Sequence, residues 1–167
     1  DKESYNIIAS FNPKNTHRIM LAAHWDSRLI AEKDEEKSMQ EKPIMGADDG
    51  ATGTAILLEI ANMVKENPID LGIDIVLFDA EDQGDSNGAQ TTWCLGSQYW
   101  GKNPHVPNYK ATFGILLDMV GAKDAQFGLE GFSFANAGEI QKKIWGLARG
   151  MGYSDYFQNF KGGQITD

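Results

Sequence analysis

Cysteine is nearly absent. Cys94 is the only one in the chain, so no intrachain disulfide can form and a bridge-held fold is excluded. That usage suits a cytosolic protein, or a periplasmic one that does without bridges. Cys94 lies in the aromatic stretch Trp93-Cys94-Leu95 and reads as a buried structural thiol. Basic residues are also scarce: 15 Lys and Arg stand against 24 Asp and Glu, a formal charge of −9. Phosphate contacts need clustered Lys and Arg. No such cluster occurs, so a nucleic-acid partner is excluded. The longest charged run, Glu32 to Lys37, mixes both signs and reads as a solvated loop. No apolar run nears the ~20 residues that a membrane helix needs, so no membrane span is expected. No signal-peptide pattern is present, and the abrupt opening at Asp1-Lys2-Glu3 is compatible with a removed leader.

What remains is a chain of 167 residues, 41% apolar, which suits one domain with a hydrophobic core. Asn6 to Phe11 reads as a strand stopped by Asn12-Pro13. Arg18 to Ala23 is a second, nearly continuous apolar strand, followed by His24-Trp25-Asp26. Arg28 to Lys42 is charged and aperiodic, a long loop of the kind that often carries function. Gly46 to Gly53 is a turn, and a helix over roughly Thr52 to Glu66 follows, with a broad apolar face suited to packing on a sheet. Ile73 to Phe78 is a strand that runs into Asp79-Ala80-Glu81-Asp82, and a loop over Gly84 to Gly88 comes next. Trp93 to Trp100 reads as a short helix and Phe113 to Leu117 as a strand ending at Asp118. Asn136 to Met151 is an amphipathic helix, with Asn136 and Glu139 as a capping pair. Strands alternating with helices predict an α/β fold with a mostly parallel sheet covered on both faces.

The chemistry-bearing side chains sit where apolar strands end. They are His24 and Asp26, then Asp48 and Asp49, then Glu81 and Asp82, then Asp118. In open α/β sheets the carboxyl ends of the strands form the ligand crevice. Carboxylates crowded there repel one another, and a bound cation relieves the repulsion. Carboxylates with imidazole suit zinc. Taken singly, each motif has an ordinary structural reading. His24 can be a hydrogen-bonded strand-end residue, Asp48-Asp49-Gly50 a turn signal, and Asp82 a cap. The coincidence at one sheet edge is what points to a metal site.

At this point the chain resembles a known family. His24-Trp25-Asp26-Ser27, Gly46-Ala47-Asp48-Asp49-Gly50-Ala51-Thr52-Gly53, Phe78-Asp79-Ala80-Glu81-Asp82 and Leu116-Leu117-Asp118-Met119-Val120-Gly121 occur in the order of the co-catalytic zinc aminopeptidase superfamily. Trp93 to Trp100 and Tyr156-Phe157-Gln158-Asn159 bring the likeness closer to its glutaminyl-peptide cyclotransferase branch, in its bacterial members with the mammalian-type fold. The resemblance implies a three-layer α-β-α sandwich with a mixed, mostly parallel central sheet, a single catalytic domain over 1–167, and zinc as cofactor. It implies Asp49 and Asp82 as zinc ligands, with Asp82 standing where many relatives have the longer Glu. It implies Glu81 as general acid/base, with Asp118 and Asp167 hydrogen-bonding near it. His24 with Asp118 matches the second metal position of the two-zinc aminopeptidases. Trp93 matches a pocket wall, with core packing as the alternative.

The implied reaction is cyclisation of an N-terminal glutamine to pyroglutamate with release of ammonia, on peptides with a free N-terminus. A two-zinc aminopeptidase uses the same inner residues. A catalytically silent binding domain of the same fold is a third alternative, and Glu81 speaks against it. The family's last zinc ligand is a His near the C-terminus, and neither His17 nor His105 matches it. The expectation is therefore a truncated domain without that His, its strand and N-terminal helices, poor at binding metal alone. The resemblance also implies a periplasmic or secreted protein. The oligomeric state stays open.

Overall fold

The computed structural model describes residues 3–164. Asp167, which the family resemblance sets near Glu81, lies outside the described residues. The chain divides after Val120 into two compact units. The first holds strands β1 (Ile7–Phe11), β2 (Arg18–His24), β3 (Gly72–Phe78) and β4 (Gly114–Leu116), with helices α1 (Ala51–Glu66) and α2 (Leu95–Lys102). The second holds β5 (Phe127–Leu129), α3 (Gly131–Gly150) and β6 (Phe157–Lys161).

The sheet of the first unit has the order β1-β3-β2-β4. β2 is parallel to both β3 and β4, while β1 runs antiparallel to β3. The architecture is thus mixed α/β with a mixed, mostly parallel sheet, as the alternation of elements predicts. β3 is buried along its whole length, and alternation divides its side chains between two cores. Ile73, Ile75 and Leu77 join Leu21, Ala23 and the fully buried Leu57 of α1, with Ile60, Ala61 and Val64 packed against them. On the other face Val76 and Phe78 join Ala22, flanked by Ile8, Met20 and Trp100 of α2. Helices cover both faces, which is why the strand reads as a continuous apolar run. Gly53 allows the close approach of α1: a Cβ there would lie 2.3 Å from the Leu117 carbonyl oxygen and 3.0 Å from the Ala23 Cβ.

One charge interrupts the second core. Asp74 is 1% exposed. Arg18 donates to it from Nε (2.6 Å) and Nη2 (3.1 Å), Ser10 from Oγ (2.6 Å) and Tyr109 from its hydroxyl (2.8 Å). Four donors make a buried carboxylate tolerable. Strand register brings Ser10 opposite Asp74.

Three expectations are corrected. α3 begins at Gly131, earlier than Asn136, because Glu130 caps it by accepting from Phe132 N and Ser133 N at 2.8 and 2.6 Å. The anticipated Asn136–Glu139 capping pair does not form: Asn136 donates to the Phe132 carbonyl and Glu139 pairs with Lys142. Ala137 is non-helical, so the expected start falls at a kink. α2 starts at Leu95, with Cys94 as its left-handed cap. β5 and β6 carry no strand pattern of their own; they pair in parallel beside α3, whose Trp145 donates to the Phe127 carbonyl at 3.0 Å. Among the described residues no helix is long and apolar enough to cross a membrane.

Asp74 supplies a test of this core. Its carboxyl is held below the usual range: burial works against the charged form, but the hydrogen bonds from Arg18, Ser10 and Tyr109 outweigh it. A depressed folded-state pKa stabilises above the unfolded value of about 3.9, and that contribution fades as pH falls through the folded value. Asp74→Ala should cost about 3–5 kcal/mol at pH 7, because it strands Arg18. Urea unfolding should show the gap to wild type narrowing in strong acid. An equal gap at neutral pH and in strong acid would contradict the assignment.

Candidate functional site

The parallel register sets three chain ends side by side. His24 lies opposite Phe78, and Ala22 opposite Leu116. The residues that follow β3 and β4 therefore emerge next to the end of β2. Asp48 and Asp49 arrive at the same edge from the turn that opens α1. Gly50 makes that turn possible: its φ is 87°, and a Cβ would meet the Asp26 carbonyl oxygen at 2.3 Å and the His24 ring at 3.3 Å.

His24 is the centre. It is 1% exposed, and its backbone carbonyl accepts from Thr54 Oγ1 at 3.0 Å. Its Nε2 lies 3.0 Å from Asp49 Oδ1 and 3.4 Å from Asp118 Oδ1. Its Nδ1 lies 3.5 Å from Asp26 Oδ1 and 3.9 Å from Glu81 Oε2. These are charge contacts at poor angles, for neither ring nitrogen has a well-formed hydrogen bond among the described residues. Burial disfavours the charged ring, but the carboxylates of Asp118 and Asp26, and the charge of Glu81, outweigh it and push the pKa up to about 11.

Asp26 organises the turn after β3. Its two carboxylate oxygens accept the backbone N–H of Glu81 at 3.0 Å and of Asp82 at 3.1 Å. Glu81 is further tied down through its carbonyl, which accepts from Cys94 N at 3.0 Å. The Cys94 thiol donates to Glu81 Oε1 at 3.5 Å. Asp82 is buried and takes Arg28 as its partner, with Nη2 at 2.9 Å. Asp49 is the carboxyl pushed upward: burial raises its pKa first, and the charge of Asp82 raises it further. That coupling puts Asp49 and Asp82 in one electrostatic neighbourhood.

The structure thus brings together His24, Asp49, Glu81 and Asp118, while Asp82 adjoins them through its charge on Asp49 and the Asp26 carboxylate that accepts its backbone N–H, and stands outside the cluster of ligand atoms. Trp93 is half-buried and packs on Gly84, where a Cβ would come within 2.1 Å of the ring, with the Arg28 guanidinium 4.8 Å from the ring centroid. The sequence assigns Asp26 and Arg28 no role of their own. Asp26 shows there as one of the acidic groups at the strand ends, without an assigned task, and Arg28 only as the start of a charged loop.

The donor set fits a metal ion. His24, Asp49 and Asp118 each offer one ligand atom, all within 4.8 Å of one another. Two of the separations, 3.0 and 3.4 Å, match the roughly 3.3 Å edge of a tetrahedron around zinc with bonds near 2.0–2.1 Å. Asp82 Oδ2 and Asp118 Oδ1 are buried with no hydrogen-bond partner among the described residues. Buried acceptors normally have one, and a bound cation would supply it.

Comparison with known proteins gives the same direction. The profile of Peptidase family M28 matches residues 6–167. A glutaminyl-peptide cyclotransferase of Gloydius blomhoffii is 24% identical over 187 residues, spanning 93% of this chain and 48% of that protein. The chain therefore spans about half the length of that curated relative. Among solved structures, a glutaminyl cyclase of Tannerella forsythia is 50% identical with a TM-score of 0.93, covering 98% of this chain and 58% of that one. A Zn-dependent exopeptidase from Parabacteroides distasonis is 48% identical with a TM-score of 0.94, covering 99% and 58%.

The His24 environment makes a measurable claim about the metal-free chain. A raised pKa stabilises the fold fully below the unfolded value of about 6.5, and the contribution is lost as pH rises through the folded value. Nitrogen-15 NMR about two pH units above that unfolded value should therefore find both ring nitrogens of His24 protonated. A neutral ring there would refute the carboxylate cage described above.

Proposed function

The chain belongs to peptidase family M28, and from that premise we propose that the whole protein is a zinc-dependent glutaminyl-peptide cyclotransferase. Its substrates would be peptides with a free N-terminal glutamine and its products pyroglutamyl peptides and ammonia. One observation carries the reading: a buried imidazole and four carboxylates converge at one sheet edge, where Asp118 Oδ1 is buried with no hydrogen-bond partner among the described residues, as is Asp82 Oδ2. The similarity to the cyclase of Tannerella forsythia favours this reaction over its alternatives.

Asp49 and Asp82 would hold the zinc, with His24 and Asp118 against them. A bound zinc supplies Lewis acidity toward the γ-amide oxygen of the substrate. The remaining work falls to side chains. Glu81 takes a proton from the substrate α-amine as its nitrogen bonds to the δ-carbon of the side-chain amide. It then gives a proton to the amide nitrogen, which departs as ammonia when its bond to that carbon breaks. No water is consumed. Asp26 keeps the base in place through the two backbone N–H groups it accepts. Asp118 faces Nε2 of the His24 ring at 3.4 Å, the opposite nitrogen from the one that Glu81 faces. The Trp93 ring would form one wall of the pocket.

A second reading has support in the His24, Asp49 and Asp118 triplet. With a second cation held by His24, Asp49 and Asp118 beside the one at Asp82, the protein would be a metallo-aminopeptidase, with Glu81 as the base toward water. A periplasmic or secreted location belongs to the same proposal and rests on the family resemblance.

Metal counting on the whole protein separates the two chemistries. One zinc per chain with ammonia released from a Gln-peptide is expected. Two zincs with free amino acids released would reject the cyclase. Glu81→Gln should lower kcat by about 10²–10⁴ while leaving the zinc content unchanged. Turnover near the wild-type rate would remove Glu81 from its role.

A further inference from the structure

The two carboxylate oxygens of Asp82 keep different company. Oδ1 accepts from Arg28 Nη2 at 2.9 Å and from Nε at 3.2 Å. Oδ2 is buried and has no hydrogen-bond partner among the described residues, and the side chain as a whole is 6% exposed. Arg28 is itself held from other directions. Its Nη1 donates to Glu32 Oε1 at 2.6 Å, an oxygen that also accepts from Ser86 Oγ at 2.9 Å. Its guanidinium lies over the Trp93 ring. A planar fork that is stacked on one side and paired at its far end has little freedom to turn.

We propose that Arg28 is a positioning residue for the metal, holding Oδ1 so that Asp82 can ligate through Oδ2 alone. The proposal rests on the reading of Asp82 as a ligand. A carboxylate free to rotate can offer both oxygens, which suits large cations such as calcium. Zinc takes few ligands at short distance, and a carboxylate fixed to one oxygen matches that demand.

A cationic neighbour also has an opposite effect, since a positive guanidinium repels an incoming cation. Glu32 at 2.6 Å offsets that charge. Outer groups that orient a ligand are worth about 10–100-fold in metal affinity. With the repulsion offset by Glu32, the positioning effect wins and Arg28 strengthens zinc binding.

The test is zinc affinity of the whole protein by chelator competition, with urea unfolding of the metal-free form as the fold control. Arg28→Gln should bind zinc about 10–100-fold more weakly and lose part of its preference for zinc over calcium. Arg28→Lys keeps the charge but not the fork, so it should fall near Arg28→Gln and not near wild type. It carries the test if the Gln variant does not fold. Cobalt(II) spectra should show the intense four-coordinate bands in wild type and weaker bands in both variants. If Asp82→Asn weakens zinc but both Arg28 variants bind as wild type, or more tightly, the positioning role is overturned and the ligand reading stands. If Asp82→Asn itself binds zinc as wild type does, the ligand reading fails and takes this proposal with it.

Discussion

The structure depends on how a chain with a net charge of −9 keeps several carboxylates together around one buried imidazole. Within the site the cationic groups at hand are the His24 ring and the Arg28 guanidinium. His24 faces Asp26, Asp49, Glu81 and Asp118 at 3.0–3.9 Å, and Arg28 faces Asp82 and Glu32. Buried like charges cannot stay ionised without such counter-charges. The protein's own counter-charges amount to a compromise. One imidazolium is shared among more carboxylates than it can satisfy, and none of its contacts is well aligned. A divalent cation would replace that poor arrangement with direct bonds.

The backbone is fitted to the same end. Ala80, Cys94 and Met119 all have positive φ, at 52°, 55° and 44°. Each is a residue with a Cβ in a region such residues avoid, at about 1–3 kcal/mol apiece. Ala80 precedes Glu81, Cys94 touches it, and Met119 follows Asp118. The strain thus gathers where the carboxylates leave their strands. Around Glu81 it is held by hydrogen bonds that bind the turn from both sides. Asp26 takes the backbone of Glu81 and Asp82, while the start of α2 donates Cys94 N, Leu95 N and Gly96 N to the carbonyls of Glu81, Ala80 and Asp79.

Much of this is legible in the sequence because it follows from local pattern. β2 and β3 are apolar runs whose ends carry His24 and Glu81, and the alternation of strand and helix fixes the parallel pairing that sets those ends together. α1 declares itself through its apolar face and the Gly-rich turn before it. Other features are hidden for physical reasons. β5 and β6 are short and are strands only by virtue of the partner beside them. α3 is capped by Glu130, a residue type less usual in that role than Asn136, which misplaces the expected start. The tasks of Asp26 and Arg28 escape because they are tertiary. Asp26 reaches 55 positions along the chain to Glu81 and Arg28 reaches 54 to Asp82, and no local periodicity encodes such a pairing.

Asp74 and Asp82 show how differently one fold can treat a buried carboxylate. Both are nearly inaccessible, and both are paired with an arginine. Asp74 has each oxygen engaged, with four donors closing its shell. That is the pattern of a group whose task is to keep a core in register. Asp82 has one oxygen engaged and one without a partner among the described residues. In a stable domain such a buried oxygen is a standing cost of about 1–3 kcal/mol. The asymmetry makes sense if the second oxygen is kept open for a ligand that arrives after folding. By the same measure Asp74, though more deeply enclosed, is a structural residue, and burial alone would have confused the two.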